Sequence, residues 1–400
     1  MVKIMNFRKY SVIVVALITV FALVGTVSAK VAVDKGDTHK RVIAHTEEEV
    51  SKAVSSGCKV VRDAKTLKAL RCSQGVAESL SLAEDVRVFA LDDEEAGVLR
   101  GLQPGVMSAS ANKQIGAGIV QTSGNTGSGR KVVVLDTGYN YLHPELSSSY
   151  LGGKDFVNND NDPMDDQGHG SHVAGIITAD GVDPNAKGVA PDAGVIAGKV
   201  LDSTGSGYFS DVVAAIYWAV NGLDSVYGTS DDFNADAISL SLGTGAPYIY
   251  KGFCDGVLPD LTNAIKYAIQ KNVIVIVAAG NSGSRGVSIP GCVSYSTTVG
   301  AVNSSDKVAS FSGRGSALDI TAPGVSIYSS VLGNLYASWS GTSMATPMVT
   351  GVVALMKYAH PAYTQSQVES KLFSTAKDLG RSGKDKDYGW GRVRANLAVQ

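Results

Sequence analysis

The 400-residue chain has little net charge, little cysteine and few long apolar segments. Its 35 lysine and arginine residues almost balance 37 aspartate and glutamate residues, which leaves a formal net charge of −2. Without a basic surplus the chain lacks the field that binds phosphate backbones, so we expect no nucleic-acid partner. Hydrophobic residues make up 44% of the chain, which is enough to bury a large core.

The longest apolar run lies close to the N-terminus. Lys3, Arg8 and Lys9 precede it, and small residues follow it as far as Ala29. This pattern is typical of a secretory signal peptide, so residues 1–29 predict export to the extracellular space. A retained membrane anchor is the alternative, but about 13 apolar residues fall short of the roughly 20 that span a bilayer. We therefore expect no membrane association once the signal is removed.

The four cysteines fall into two pairs by position. Cys58 and Cys72 lie close together in the sequence, and Cys254 and Cys292 lie further apart. An exported protein can keep disulfides, so both pairs are candidates for bridges. Buried free thiols are the alternative for each pair.

Residues 30–104 differ in texture from the rest of the chain, with short apolar runs between charge-rich stretches. Thr46 and Glu49 form a capping-box pattern that predicts the start of a helix. The other candidates are strands at residues 41–45, 58–62 and 86–91 and a helix at residues 75–86. Together they predict a small α+β domain. A stretch rich in Gly, Ser and Ala, residues 101–118, follows it and suits proteolytic processing.

From Lys131 onward, short apolar strands alternate with glycine-rich turns and helices. The strand candidates are KVVVLDTG, AGVIAGKVL, DAISLSLG and NVIVIVAAGN. Continuous apolar strands between helices predict an α/β fold with a mostly parallel sheet flanked by helices. Asp136 and Asn281 follow two of these strands, where the functional residues of parallel sheets collect.

Three separate segments each carry one element of a nucleophilic site. Asp136 ends an apolar strand, where its buried carboxylate needs a polar partner. His169 lies between glycines at the start of an apolar helix pattern and can be that partner. Ser343 follows a glycine turn at the start of a long apolar helix, whose N-terminus favours developing negative charge. Singly these residues read as a turn residue, a structural histidine and a helix cap, but the order Asp, His, Ser matches a known type of serine triad.

Four motifs carry a resemblance to a known family. In order, VVVLDTGYN, DDQGHGSHVAG, VAAGNSG and SGTSMATPMVTG resemble the Asp, His, oxyanion and Ser motifs of the subtilisin family of serine peptidases. The resemblance covers roughly residues 105–400. Two small departures are Ser171, where Thr is commoner, and a longer loop near residues 227–234. The resemblance implies a secreted serine endopeptidase of broad specificity.

The same resemblance assigns roles to residues. Ser343 would attack the peptide carbonyl, His169 would transfer the proton and Asp136 would hold the imidazole. Asn281 would stabilise the oxyanion with its side-chain amide. Extended substrate would pair as an added strand with two short segments beside one wall of the primary pocket. These are Gly205, Ser206 and Gly207 in one segment, Ser241, Leu242 and Gly243 in the other, and Ala278, Ala279 and Gly280 in the wall.

The small residues of this pocket imply a preference for apolar or aromatic side chains before the scissile bond. Phe209 is the candidate for a more distant apolar subsite. Because pairing with backbone reads any peptide, we expect loose sequence specificity.

Residues 155–166 read DFVNNDNDPMDD, with five acidic residues among twelve. Such a loop repels itself unless a cation or solvent screens it, and oxygen ligands suit Ca²⁺. Asp155, Asp160, Asp162 and the Met164 carbonyl resemble a calcium loop of some thermophilic relatives, so a structural Ca²⁺ is predicted there. A solvated acidic loop is the alternative. Glu145 replaces a calcium-binding Asp of many relatives, but the usual companion loop is missing, which argues against a second site.

The module at residues 30–104 resembles the propeptide of these enzymes, a folding assistant that blocks the cleft until it is cut. We therefore predict a signal peptide at 1–29, a propeptide at 30–104 and a catalytic domain at 105–400, with self-cleavage between about Leu99 and Ser108. We expect a monomer whose partners are protein and peptide substrates and its own propeptide. A permanent N-terminal binding domain, a non-catalytic scaffold and an esterase are the alternatives.

Overall fold

The computed structural model describes residues 39–91 and 106–400. The predicted signal peptide and most of the predicted cleavage segment therefore lie outside the described residues. The helices are α1 (Glu47–Ser55), α2 (Gln74–Leu80), α3 (Ser108–Ile115), α4 (Ala117–Thr122), α5 (His169–Thr178), α6 (Phe209–Asn221), α7 (Pro259–Gln270), α8 (Thr342–Ala359), α9 (Gln365–Thr375) and α10 (Ala395–Ala398). None of these described helices is both long enough and apolar enough to cross a bilayer.

The strands are short, and most lie in the part of the chain after residue 106. They are β1 (His39–Ala44), β2 (Lys59–Ala64), β3 (Leu67–Ser73), β4 (Ala83–Glu84), β5 (Arg87–Ala90), β6 (Val106–Met107), β7 (Lys131–Asp136), β8 (Tyr150–Asp155), β9 (Gly194–Lys199), β10 (Ser206–Tyr208), β11 (Ala237–Leu240), β12 (Leu242–Gly243), β13 (Ile249–Tyr250), β14 (Ile274–Ala278), β15 (Val287–Ser288), β16 (Thr297–Val302), β17 (Ile320–Pro323), β18 (Ile327–Ser330) and β19 (Tyr336–Trp339).

Seven strands form one parallel sheet in the order β17, β16, β14, β11, β7, β9, β8. Successive side chains of a strand point to opposite faces. Val132 and Val134 of β7 therefore share a core with α5 and α8, whereas Val133 and Leu135 share the other core with α6 and α7. Burial on both faces explains the continuous apolar runs. The predicted α/β fold with a mostly parallel sheet flanked by helices is confirmed.

The parallel sheet brings the polar strand ends to one edge. β7 ends at Asp136, and Asn281 lies shortly beyond the end of β14. Two helices begin with site residues, because His169 opens α5 and Ser343 is the second residue of α8. A Cβ on Gly170 would clash with the Gly138 carbonyl oxygen, so only glycine lets α5 start this close to the turn after β7.

The N-terminal module, residues 39–91, is a four-stranded antiparallel sheet with two helices, in the order β2, β3, β1, β4. Thr46 and Glu49 form the predicted capping box of α1. The second helix is shorter than predicted, because Ser81 adopts left-handed backbone after Leu80. Strand β3 was not predicted, and its adjacent residues Ala69 and Leu70 are both buried, which breaks a simple alternation of apolar and polar residues.

Both faces of the module's sheet are buried. Val42, Leu70 and Cys72 lie in a core with α1 and α2, whereas Ile43 and Ala69 lie in the core that contains α6. The alternation along β1 and β3 therefore joins the module to the larger part of the chain.

Both cysteine pairs form the predicted disulfides. Cys58–Cys72 lies within the N-terminal module, and Cys254–Cys292 lies in the larger part.

Candidate active site

Asp136 and His169 form a buried pair at the end of β7. Asp136 Oδ1 accepts a hydrogen bond of 2.7 Å from His169 Nδ1, and both side chains are shielded from solvent. The same oxygen accepts the Thr137 amide at 2.7 Å. Because a carboxylate oxygen only accepts, the hydrogen of the imidazole lies on Nδ1, which leaves Nε2 as the nitrogen that can take a proton.

Asp165 holds the turn that carries His169. Its Oδ1 accepts from the Thr137 hydroxyl at 2.9 Å and from the Gly168 amide at 2.9 Å. Its Oδ2 accepts from the Ser171 amide at 2.8 Å and hydroxyl at 2.6 Å. This acid was counted in the acidic loop, but in the folded chain it orients the turn that carries His169. The Ser171 hydroxyl takes part in that network.

Lys199 is a buried cation next to the same turn. Its Nζ donates to the Thr137 carbonyl at 2.6 Å, to Asp166 Oδ1 at 2.6 Å and to the Leu201 carbonyl at 3.0 Å. Asp166, a second acid of the loop, thus pairs with the buried Lys199. The sequence signal was a lysine at the end of an apolar strand, which sequence reasoning did not use.

Trp339 lies against the histidines of α5. Its ring stacks on His172 at 4.5 Å and on His169 at 6.3 Å between ring centroids. His172 Nε2 donates to the Ala337 carbonyl at 3.0 Å, and burial lowers the pKa of His172 to about 3. His172 therefore stays neutral and packs beside Trp339 next to the pair.

Ser343 and Ser241 exchange hydrogen bonds. The Ser343 hydroxyl donates to the Ser241 carbonyl at 2.9 Å, and the Ser241 hydroxyl donates to the Ser343 carbonyl at 3.0 Å. The N-terminus of α8 is therefore fixed to one of the two segments predicted to pair with substrate.

Asn281 is oriented by Thr342, the residue before Ser343. Its Oδ1 accepts from the Thr342 amide at 3.0 Å and from the Thr342 hydroxyl at 2.9 Å. These two donors leave Nδ2 to point the other way, and it donates to the Leu91 carbonyl at 2.9 Å. The amide predicted to bind an oxyanion therefore already holds a peptide carbonyl. Sequence reasoning missed both Thr342 and Leu91.

Strand β5 of the N-terminal module lies between the two predicted substrate segments. It pairs with β10, where Gly207 faces Val88, and with β12, where Leu242 faces Ala90. The Gly205 carbonyl accepts the Ala90 amide at 2.8 Å. The structure thus brings five of the six predicted segment residues, Gly205, Ser206, Gly207, Leu242 and Gly243, to one extended peptide, and Ser241 directly precedes β12.

The predicted pocket wall follows the end of β14. Ala278 and Ala279 are fully buried, and the Gly280 amide donates to the Thr342 hydroxyl at 3.1 Å. A Cβ on Gly243 would lie 2.9 Å from Leu91 Cδ1. Glycine at position 243 therefore leaves the space into which the Leu91 side chain extends.

The acidic loop folds on its own hydrogen bonds. The Asp155 carboxylate accepts amides two and three residues on, and the Asp160 carboxylate accepts the Asp162 amide. Asp162 Oδ1 accepts the Tyr141 hydroxyl at 2.8 Å and the Met164 amide at 3.2 Å. Across the described residues, no three His, Cys, Asp or Glu side chains come together as a metal site. Calcium at this loop stays a prediction.

Glu145, the other calcium candidate, is fully buried and already bound. Its carboxylate accepts from the amides of Gly181, Val182 and Asp183 at 2.6–3.1 Å and from the Tyr336 hydroxyl at 2.9 Å. Four donors satisfy this carboxylate without a cation.

Comparison with known proteins places the larger part of the chain in a family. A family model described as the Subtilase family (peptidase S8) matches residues 127–391, which include the acid, histidine, amide and serine motifs. The chain belongs to the subtilase family.

This subtilase resembles well-characterised members over most of its length. It is 41% identical over 294 residues to Subtilisin E of Bacillus subtilis (strain 168), which covers 72% of this chain and 70% of the relative. It is 40% identical over 294 residues to a Subtilisin of Bacillus pumilus, with 72% and 97% covered. It is 36% identical over 320 residues to the M-protease of Shouchella clausii (strain KSM-K16), with 79% and 77% covered. The subtilase is accordingly a serine endopeptidase.

Proposed function

We propose that this subtilase is an exported endopeptidase of broad specificity that binds substrate as an extended strand and attacks it with Ser343. One observation carries the proposal. Strand β5 lies extended between β10 and β12, and the carbonyl after it accepts the Asn281 amide. A peptide is therefore held as a substrate would be, beside the helix N-terminus that carries the nucleophile.

The residues have the following roles in the reaction. The Ser343 hydroxyl turns from the Ser241 carbonyl and attacks the substrate carbonyl carbon, while His169 Nε2 takes its proton. Asp136 holds the imidazolium through Nδ1, and Asn281 donates to the oxygen that becomes negative. His169 then protonates the departing amine, and a water molecule hydrolyses the acyl enzyme.

Backbone pairing supports broad specificity, and the bound strand supports an apolar preference. Val88 is buried in the core that contains Phe209, and Leu91 extends beside Gly243. We therefore propose apolar subsites for the first and fourth residues before the scissile bond. Phe89 is 40% exposed, so the third residue is free to vary.

We further propose that the N-terminal module is an inhibitory propeptide. It covers the cleft with β5 and is anchored to α6 by buried charges. Asp211 accepts from Arg62 Nε at 2.6 Å and from Arg41 Nη1 at 3.0 Å. Asp85 accepts the Ser210 amide at 3.0 Å and hydroxyl at 2.7 Å at the start of α6. A module bound in this way excludes protein substrates until it is removed.

Export and calcium are the remaining parts of the proposal. The basic, apolar and small-residue pattern of residues 1–29 supports export. The charge density of residues 155–166 supports a structural Ca²⁺ only after the loop rearranges, since its carboxylates now bind backbone amides. A monomer is proposed for the mature enzyme.

Turnover of wild type and Ser343→Ala on casein, on a peptide of about ten residues and on a simple activated ester tests the proposal. We expect wild type to digest casein and to prefer the long peptide, because its backbone fills both pairing segments. Ser343→Ala should be inert on all three, and Ser305→Ala, which removes an exposed hydroxyl, should match wild type. Cleavage of the ester alone would favour an esterase, and no turnover by folded wild type would favour a scaffold.

A further inference from the structure

We propose that the peptide bond on the carboxyl side of Leu91 is the bond that the enzyme first cuts in its own precursor. This inference rests on the proposed function and adds the identity of one substrate. It places the cut before the range, about Leu99 to Ser108, that the sequence predicts.

The Leu91 carbonyl lies where a carbonyl under attack would lie. Asn281 Nδ2 donates to it at 2.9 Å, while Thr342 holds the other end of the same amide. An oxyanion donor of this kind lies within hydrogen-bond reach of the carbonyl that is attacked. One donor holds one carbonyl at a time, and in this arrangement that carbonyl belongs to Leu91.

The register between β5 and β12 aligns Leu91 with Ser241. Leu242 faces Ala90 and Gly243 faces Phe89 in an antiparallel pair, so the next pair along is Ser241 with Leu91. The Ser241 carbonyl is the group that accepts the Ser343 hydroxyl at 2.9 Å. The register therefore places Leu91 at the level of the nucleophile.

The Leu91 side chain occupies the place of an apolar group bound beside Gly243. Leu91 Cδ1 lies where a Cβ on Gly243 would come within 2.9 Å of it, so the side chain extends against one of the two segments predicted to pair with substrate. Three residues earlier, Val88 is only 3% exposed. The segment that ends at Leu91 thus fills both apolar subsites of the proposed cleft.

The step is a hydrolysis of one peptide bond. Ser343 Oγ bonds to the Leu91 carbonyl carbon, and its proton moves to His169 Nε2. The carbon–nitrogen bond to Asp92 breaks, and the Asp92 amine takes the proton from His169. Water then cleaves the ester, which leaves a Leu91 carboxylate and restores Ser343. The mature enzyme would begin at Asp92 and keep residues 92–104, which the sequence analysis assigned to the propeptide.

The experiment follows the first cleavage of the full precursor. Precursor is refolded, samples are stopped with acid at short times, and intact masses of both fragments are recorded at two protein concentrations. We expect the first pair of products to end at Leu91 and to begin at Asp92, at a rate independent of concentration, since the segment already lies in its own cleft. Later trimming in trans does not alter these first products.

Two matched variants sharpen the test. Leu91→Asp places a charge in the apolar subsite and should slow the first cleavage by at least about 10-fold. Leu99→Asp, at the start of the range that the sequence predicts, should cleave like wild type. First products that begin between residues 100 and 108, or a slowing by Leu99→Asp and not by Leu91→Asp, would overturn the inference while casein digestion left the proposed function intact. A folded precursor that neither cuts itself nor digests casein would overturn both.

Discussion

Asn281 donates its side-chain amide to the carbonyl oxygen of Leu91 at 2.9 Å, across 190 residues of sequence. Asn281 follows β14 at the carboxyl end of the parallel sheet, and Leu91 follows β5 of the N-terminal module. The contact explains two properties at once. Under the proposed function it would present a carbonyl to Ser343 as a substrate does, and it would keep other substrates out of the cleft.

Removing this donor tests its role in catalysis. Asn281→Leu keeps the size of the side chain and lacks the N–H, so kcat should fall by about 10²–10³, the loss found for such a donor in a subtilisin, with little change in KM. Thr342→Ala is the control, because it loses hydroxyl contacts to Asn281 and Gly280 but keeps the amide that orients Asn281. A kcat of Asn281→Leu that stays within a few-fold of wild type would contradict the oxyanion role of Asn281.

The sequence predicted four of the seven strands of the parallel sheet and the motifs that carry Asp136, His169, Asn281 and Ser343. Strands buried on both faces are continuous apolar runs, so β7, β9, β11 and β14 are visible without a structure. Each catalytic side chain sits within a short local motif, so its surroundings are largely encoded by near neighbours. The geometry of the pair between Asp136 and His169 then follows from the topology of a parallel sheet.

Contacts between distant segments were not accessible from sequence. The place of Leu91 depends on how the module docks, and that is decided by Arg41, Arg62 and Asp211 across the interface. In the sequence Asp165 is one more acid of the predicted calcium loop. Composition does not distinguish a carboxylate that binds a cation from one that accepts hydrogen bonds from backbone amides. Only the folded turn shows its donors.

The charged anchor of the module should set how long inhibition lasts. Arg62 is buried, pairs with Asp211, contacts Asn159 at 3.2 Å and donates to the Phe156 carbonyl. Arg62→Ala removes hydrogen bonds to a charged partner, so the lag before activity appears should shorten by about 10-fold or more. Lys59→Ala, an exposed change on the same strand, is the matched control. Activity would be followed on a small peptide after refolding, and identical lags in both variants would contradict the anchor.

His172 should make the fold sensitive to acid. Burial lowers its pKa from 6.5 to about 3 in the folded chain. Below pH 6.5, His172 therefore takes up a proton in the unfolded chain but stays neutral in the folded chain. The free energy of unfolding that is present at pH 7 is lost as the pH falls toward 3. From pH 7 to pH 4 this loss is about 3 kcal/mol.

The measurement is urea unfolding at pH 7, 6, 5 and 4 in the Ser343→Ala background, which prevents self-digestion. His172→Gln keeps a donor for the Ala337 carbonyl and cannot take up a proton, so its stability should decline less with acid than that of the parent. Parallel curves for the two proteins would rule out His172 as a source of acid sensitivity.

The two disulfides should act on different forms of the protein. Cys254–Cys292 closes a loop with a sequence separation of 38 in the larger part, so Cys254→Ser with Cys292→Ser should cost the mature enzyme about 4 kcal/mol. Cys58–Cys72 lies in the module, so the paired serine variant should leave the mature enzyme unchanged and weaken only the precursor. Thermal unfolding of both forms, with the enzyme blocked at its active site, checks the assignment. A loss in the mature enzyme from the Cys58 and Cys72 variant would show that the module is retained.

The most direct test of the whole account is to find the nucleophile. Mature enzyme is treated with a fluorophosphonate, which reacts only with an activated serine, and the modified residue is located by peptide mass. We expect one adduct per molecule, on Ser343, together with complete loss of peptidase activity. An adduct on another serine, or an active folded enzyme that remains unmodified, would contradict it.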